Sequence, residues 1–139
     1  MIDYDTTIVL DSNHSSAYYN RGRLKGYLHD YKGAIEDCDK AIAIQPKNIY
    51  VGKFKANIAD VYFNRGLYKS APKNFSGAID DFDKAIELIP VFTEIHEIYL
   101  NRGNCKLKVG DKNAACEDWN KALELGGKRV KTSIEKYCK

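Results

Sequence analysis

The chain has 139 residues, of which 44% are apolar and 29% charged, with a formal net charge of +3. This suits one folded domain and excludes a disordered chain, while Lys and Arg interspersed with Asp and Glu argue against nucleic acid as a partner. No run of 18 or more apolar residues is present, so no membrane span is predicted.

In chain order, residues 2–11 come first. Asp3-Tyr4 and Ile8 stand 34 residues before Asp37-Cys38 and Ile42, so this segment reads as the second helix of a unit whose first helix is missing. The expectation is a half repeat over residues 1–14, in a chain that begins mid-repeat or is a fragment of a longer protein. Its apolar residues Ile2, Tyr4, Ile8, Val9 and Leu10 would have a neighbour on one side only. Self-association through residues 2–11, or attachment to further repeats, is therefore expected, with fraying as the weaker alternative. Met1 to Asp5 lacks a basic start and an apolar core, so it is not a secretory signal.

Three full copies follow. Asn20-Arg21-Gly22 recurs as Asn64-Arg65-Gly66 and Asn101-Arg102-Gly103, at offsets of 44 and 37. The same offsets carry Asp37-Cys38-Asp39-Lys40-Ala41-Ile42 to Asp81-Phe82-Asp83-Lys84-Ala85-Ile86, and on to Asp118-Trp119-Asn120-Lys121-Ala122-Leu123. Each copy predicts two helices. In the second, Ala34, Cys38, Ala41 and Ile42 share a face at steps of three and four, as do their counterparts. Asp30, Asn74 and Asp111 precede these helices as N-caps, Gly110 suits a helix end, and Pro46 and Pro90 stop the second helices, with Gly127 in the third place. Gly22 with Ala34 and Ala41 permits close helix approach, with Tyr18 and Cys38 filling the space beside them. Gly66 and Gly103 repeat this with Tyr62 and Phe82, and with Tyr99 and Trp119.

The copies are placed at 15–48, 59–92 and 96–129. Between the first two, the spacing of Ile49, Phe54, Ile58, Val61, Tyr62 and Arg65 predicts one long helix from about Ile49 to Ser70, ended by Pro72; a loop is the alternative, which Gly52 keeps open. Thr93 to Ile95 lengthen the following helix by most of a turn. A closing helix over residues 129–138 presents Val130, Ile134 and Tyr137 on one face and charges on the other.

The small–large pattern resembles the tetratricopeptide repeat, a helix–turn–helix unit of about 34 residues. The resemblance covers about three quarters of the chain. Arg21, Arg65 and Arg102 stand where that family has leucine before the Gly, and Lys25, Lys69 and Lys106 where it has an aromatic residue after it. The implied fold is all-α, a right-handed α-solenoid of about eight helices in antiparallel pairs, forming a single domain over residues 1–139.

The resemblance also implies protein or peptide binding along the concave side, lined by the first helix of each pair. The matching residues are Ser16, Tyr19, Asn20, Arg23 and Tyr27, then Asp60, Phe63, Asn64 and Leu67, then Glu97, Leu100, Asn101, Asn104 and Lys108. The asparagines both donate and accept, which suits an extended peptide backbone, and the aromatic pair Tyr19 and Phe63 favours a contact surface. Some relatives hold the acidic tails of heat-shock chaperones with a clamp of lysines and asparagines. Here Tyr19 and Arg23 replace the clamp's first Lys and Asn and only Asn64 matches, so that ligand is disfavoured. The alternative is a structural segment of a longer array that self-associates or positions other domains.

No catalytic constellation, metal site or cofactor motif is found. His14, His29 and His96 are dispersed, His29 is expected to be exposed in a turn, and Asp80-Asp81 reads as a solvated helix face. Arg21 with Asp37, Arg65 with Asp81 and Arg102 with Asp118 predict a structural ladder across each helix pair. Cys38, Cys105, Cys116 and Cys138 read as free packing residues, with a Cys105–Cys116 disulfide as a minor alternative. Free cysteines and the missing leader favour the cytoplasm, an argument weakened if the chain is a fragment.

Overall fold

The computed structural model describes residues 3–44, 49–51, 54–88 and 94–139, with residues 49–51 and 54–56 described by their backbone alone. Among them run eight α-helices: α1 (Tyr4–Leu10), α2 (Ser15–Tyr27), α3 (Tyr31–Ile44), α4 (Ile58–Ser70), α5 (Phe75–Leu88), α6 (Ile95–Lys108), α7 (Lys112–Glu124) and α8 (Lys131–Tyr137). α2 packs on α3, α4 on α5 and α6 on α7, and the pairs stack through α3 with α4 and α5 with α6. The architecture is a right-handed α-solenoid.

One turn chemistry joins the helices of every pair. His29 (φ 63°), Lys73 (φ 67°) and Gly110 (φ 94°) occupy the left-handed region at equivalent positions. The next residue's N–H then reaches back to the carbonyl five residues earlier: Asp30 to Lys25 at 2.9 Å, Asn74 to Lys69 at 3.0 Å and Asp111 to Lys106 at 2.9 Å. That bond satisfies a carbonyl the helix end would otherwise leave unpaired. The same Asp, Asn and Asp then start the second helix, their Oδ1 atoms accepting from Gly33, Gly77 and Ala114 N–H at 3.0, 3.1 and 3.0 Å. A single residue thus ends one helix and begins the next. His29 is exposed, as expected.

Packing follows the predicted small–large pattern. Ala34, Ala41, Ala78, Ala85, Ala115 and Ala122 are fully buried, beside Cys38, Phe82 and Trp119. A Cβ on Gly66 would stand 2.7 Å from the Phe82 ring, and one on Gly103 2.8 Å from the Trp119 ring, so both positions are closed to larger residues. Truncating Phe82 or Trp119 to alanine in such a core costs about 3–5 kcal/mol.

The structure corrects the predicted long helix. Residues Ile49–Val51 (β1) and Phe54–Ala56 (β2) pair antiparallel, Ile49 with Ala56, Tyr50 with Lys55 and Val51 with Phe54, so the fold carries a two-stranded hairpin where continuous helix was expected. Two local forces decide this. Ile, Tyr and Val favour extended backbone, and Asn57 is itself extended (φ −115°, ψ 171°) while closing a capping box with Asp60 that starts α4 at Ile58.

The cysteines are the second correction. Cys116 and Cys138 form a disulfide, and only Cys38 and Cys105 are free thiols, both buried. Neither the four-thiol reading nor the Cys105–Cys116 alternative stands. The closing segment is a 3-10 turn, Lys128–Val130, leading into α8. α1 confirms a helix within residues 2–11, while Ile2, Pro46, Gly52, Pro90 and Thr93 lie outside the described residues.

Candidate functional site

Two constellations run along the solenoid. The first is the predicted ladder, in fuller form. Arg21 donates from Nε and Nη2 to the two oxygens of Asp37 at 2.9 and 2.6 Å. Arg65 meets Asp81 at 2.9 and 2.6 Å, and Arg102 meets Asp118 at 2.8 and 2.6 Å. The remaining nitrogen, Nη1, reaches into the preceding unit: Arg21 to Asp5 at 2.6 Å, Arg65 to Asp39 at 2.6 Å, Arg102 to Asp83 at 2.5 Å. Lys25, Lys69 and Lys106 add a second cation to each inner carboxylate at 2.9, 2.9 and 3.0 Å. Each guanidinium also lies over a ring, Tyr18 at 5.6 Å and Tyr62 and Tyr99 at 5.2 Å.

The inner carboxylates are buried, and burial alone would raise the Asp37 pKa. The hydrogen bonds from Arg21 and Lys25 outweigh it and hold the group below its ordinary value. These arginines and lysines depart from the family's leucine and aromatic residues, and the departures explain one another: charged residues at both positions need a buried acid between them. The sequence reading named the Arg–Asp pairs. It missed Asp5, Asp39 and Asp83, which are spaced by 34 and 44, and the role of Lys25, Lys69 and Lys106, which the offsets of 44 and 37 relate.

The second constellation is the predicted binding row on α2, α4 and α6. The structure divides it. Tyr19 is buried, 2% exposed, and belongs to the core with Cys38, Ala41 and Val61. This overturns its expected place on a contact surface. The reason lies across the pair: Cys38 is small where Phe82 and Trp119 fill the other pairs, and the Tyr19 ring takes the vacated space. Its hydroxyl accepts from Asn64 Nδ2 at 2.6 Å. Burial, then the nearby Asp60 carboxylate, push its ionisation well above the ordinary tyrosine value. Phe63 is half-buried against Phe82, ring centroids 5.9 Å apart. Leu67 and Leu100 are also half-buried, each packed on a core cluster.

The polar members remain accessible. Asn64 and Asn101 each donate to the carbonyl one turn back, Asp60 O at 2.8 Å and Glu97 O at 2.7 Å, which fixes their amides. Asn104 is exposed and accepts from the Trp119 indole at 3.1 Å. Arg23, Tyr27 and Lys108 are exposed, and Asn20 and Ser16 are half-buried with partners of their own. Arg23 stands 6.0 Å from the Tyr19 ring centroid. Burial raises the Asp60 pKa above its ordinary value, against the hydrogen bond from Asn57 and the charge of Arg23. Glu97 pairs with Arg129 from the turn before α8. An open cavity of about 650 Å³ lies away from this row, between His29, Tyr31, Ile35 and Pro72, and no predicted site residue lines it. Among the described residues no group of His, Cys, Asp and Glu is disposed to hold a metal, and no helix is long and apolar enough to cross a membrane.

Comparisons with known proteins fit this geometry. Two family profiles, both described as Tetratricopeptide repeat, match residues 15–48 and residues 96–125. A search of curated protein sequences finds no match. Among solved structures, MamA is similar with a TM-score of 0.75 and 25% identity, over 92% of this chain and 67% of that one. The first such domain of Spaghetti (RPAP3), solved with the HSP90 peptide SRMEEVD, has a TM-score of 0.74 and 21% identity, over 92% and 93%. YrrB, described as having an unusual peptide-binding site, has a TM-score of 0.70 and 18% identity, over 88% of this chain and 56% of that one.

Proposed function

The chain is a tetratricopeptide-repeat protein, and on that footing we propose that it is a binding scaffold which holds an extended peptide segment of a partner protein along α2, α4 and α6. The carrying observation is the asparagine at one position on the first helix of each of three successive pairs: Asn20, Asn64 and Asn101. Two of them have their NH2 groups tied to the carbonyl one turn back, so their orientation is set before any ligand arrives. Asn104, Arg23 and Lys108 surround the row with accessible polar contacts. RPAP3 and YrrB, with their described peptide and peptide-binding site, support the same use of the fold.

The proposed unit is the whole chain as one domain, with repeats at 15–48, 59–92 and 96–129. Its work in this reading is recognition and not catalysis, and its partner is protein and not nucleic acid. A chaperone-tail clamp is disfavoured further, because Tyr19 stands at a clamp position and lies in the core. The test is capture of partners from native extract, followed by peptide mapping against Arg23→Ala, Asn101→Ala and Lys108→Ala. Weaker binding with an unchanged melting temperature supports the row, and equal affinity in all three removes it.

A second reading, self-association or stacking onto further repeats, has its own observation. Val9 and Leu10 on α1 are each 83% exposed. Leu24, Tyr27 and Leu28 on α2 are exposed as well, although Tyr68 and Cys105, the counterparts of Leu24, pack against the pair before them. Light scattering over a concentration series tests the self-association arm, and a monomer throughout ends that arm.

A further inference from the structure

α8 is held at its two ends by different means. At its start Val130 is fully buried beside Ala115, Trp119 and Ala122. At its end Cys138 is bonded to Cys116 on α7. Between them the helix has seven residues, none fully buried, with Ile134 and Tyr137 half-covered against α7. Helices shorter than about 12 residues are not stable on their own in water. Tyr137 lies against Trp119, ring centroids 5.8 Å apart, and is the residue before Cys138.

We propose that the Cys116–Cys138 disulfide is a redox latch on this closing helix, and that reduction by a dithiol releases α8 from α7 while leaving the three helix pairs folded. The site is open to such a reductant. Both sulfurs belong to partly exposed residues at an open cavity of about 300 Å³, whose lining side chains include Lys112 and Lys139 against the single carboxylate of Glu117. One thiolate of the dithiol attacks a sulfur of the pair and breaks the S–S bond. A mixed disulfide forms and the other cysteine leaves as a thiolate. The second thiolate of the dithiol then attacks the reagent sulfur of that mixed disulfide, forming the dithiol's own S–S bond and expelling the remaining cysteine thiolate. Two electrons and two protons pass to Cys116 and Cys138, and the dithiol leaves as a disulfide.

The other two cysteines offer no competing chemistry. Cys38 and Cys105 are buried, and burial pushes their thiols up to about 12 and about 11. The consequence of release follows from the stacking. α8 packs on α7 as α4 packs on α3 and α6 on α5. Reduction therefore uncovers the face of the third pair that corresponds to a stacking face in the first two.

The test uses the full chain, air-oxidised, reduced with dithiothreitol, and as the Cys138→Ser variant. Hydrogen exchange is read by segment, and Trp119 emission follows the contact with Tyr137. Closing a loop over a separation of 22 residues corresponds to on the order of a hundredfold in an opening equilibrium. Exchange over residues 131–137 is therefore expected to quicken by that order on reduction, with Trp119 emission moving to the red and α2 to α6 keeping their protection. Cys138→Ser is expected to match the reduced protein with or without dithiothreitol. Unchanged exchange over 131–137, loss of protection throughout α2 to α6, or four free thiols in the air-oxidised protein would each overturn the latch.

Discussion

The side-chain amide of Asn64 donates to the hydroxyl of Tyr19 at 2.6 Å, across the junction between the first and second helix pairs. The bond supplies a partner for a hydroxyl whose ring is sunk in the core, and so makes the burial of Tyr19 affordable. Tyr19→Phe keeps the ring and removes the acceptor. The expected cost is about 1 kcal/mol, read as a lower urea midpoint with an unchanged slope. No loss of stability would mean that the bond adds nothing to the junction.

The ladder predicts an asymmetry between its inner and outer acids. The Asp81 side chain is 4% exposed and bonded to Arg65 and Lys69, whereas that of Asp39 is 54% exposed and, among the described residues, bonded to Arg65. Arg65→Met leaves a buried carboxylate with one cation, and about 3 kcal/mol of destabilisation is expected. Asp39→Asn should cost about 0.5 kcal/mol or less. The double variant Arg65→Met with Asp81→Leu should recover part of the first loss, because no buried charge is then stranded. Equal costs for the two single variants would contradict the ladder's geometry.

Acid sensitivity follows with a definite sign. The folded pKa of Asp37 lies below its ordinary 3.8. Its contribution to stability is therefore complete above that value and is lost as pH falls through the folded value. Urea midpoints should be level in this respect near neutrality and decline below about pH 4. Asp37→Asn should be less stable at pH 7 and should decline less steeply on acidification. A variant that tracks the parent's acid limb would show that Asp37 is not its source.

The equivalent turns predict a stabilising change. Lys73 holds a left-handed conformation (φ 67°) where the third pair has Gly110 (φ 94°). A residue with a Cβ is disfavoured there, so Lys73→Gly should stabilise by about 0.5–1 kcal/mol. His29→Gly makes a weaker test, because the Tyr31 hydroxyl lies 2.8 Å from His29 Nδ1 and that contact would be lost. Thermal melting of both variants checks the prediction, and a lower midpoint for Lys73→Gly would reject it.

What the sequence revealed and concealed divides along physical lines. The helix pairs, the Asp–Asn–Asp caps and the Arg–Asp pairs were legible because each rests on residues related by the same two offsets. Three features escaped. The strand pair Ile49–Val51 and Phe54–Ala56 has no counterpart among the described residues of the other copies, so no second copy could correct a helical spacing that the β preference of Ile49, Tyr50 and Val51 overrides. The Cys116–Cys138 bond depends on where α8 folds back, which spacing does not encode. Tyr19 shares its position with the half-buried Phe63 and Leu100, and only the exchange of a large residue for Cys38, one helix away, draws it into the core. On the candidate row, residue types were readable but the split between ring and amide positions was not.

The outer rungs have a consequence for the solenoid as a lattice of neighbours. Each of Arg21, Arg65 and Arg102 is held within its pair by a buried acid, and to the preceding unit by an exposed one, Asp5, Asp39 or Asp83. Dissolved ions weaken the exposed contacts far more than the buried ones. Rising ionic strength therefore lowers the coupling between units while sparing the intrinsic stability of each. In a linear array whose cooperativity resides in nearest-neighbour terms, this sharpens the distinction between ends and middle. In concentrated salt, terminal units open ahead of the centre, and the unfolding transition broadens before its midpoint moves.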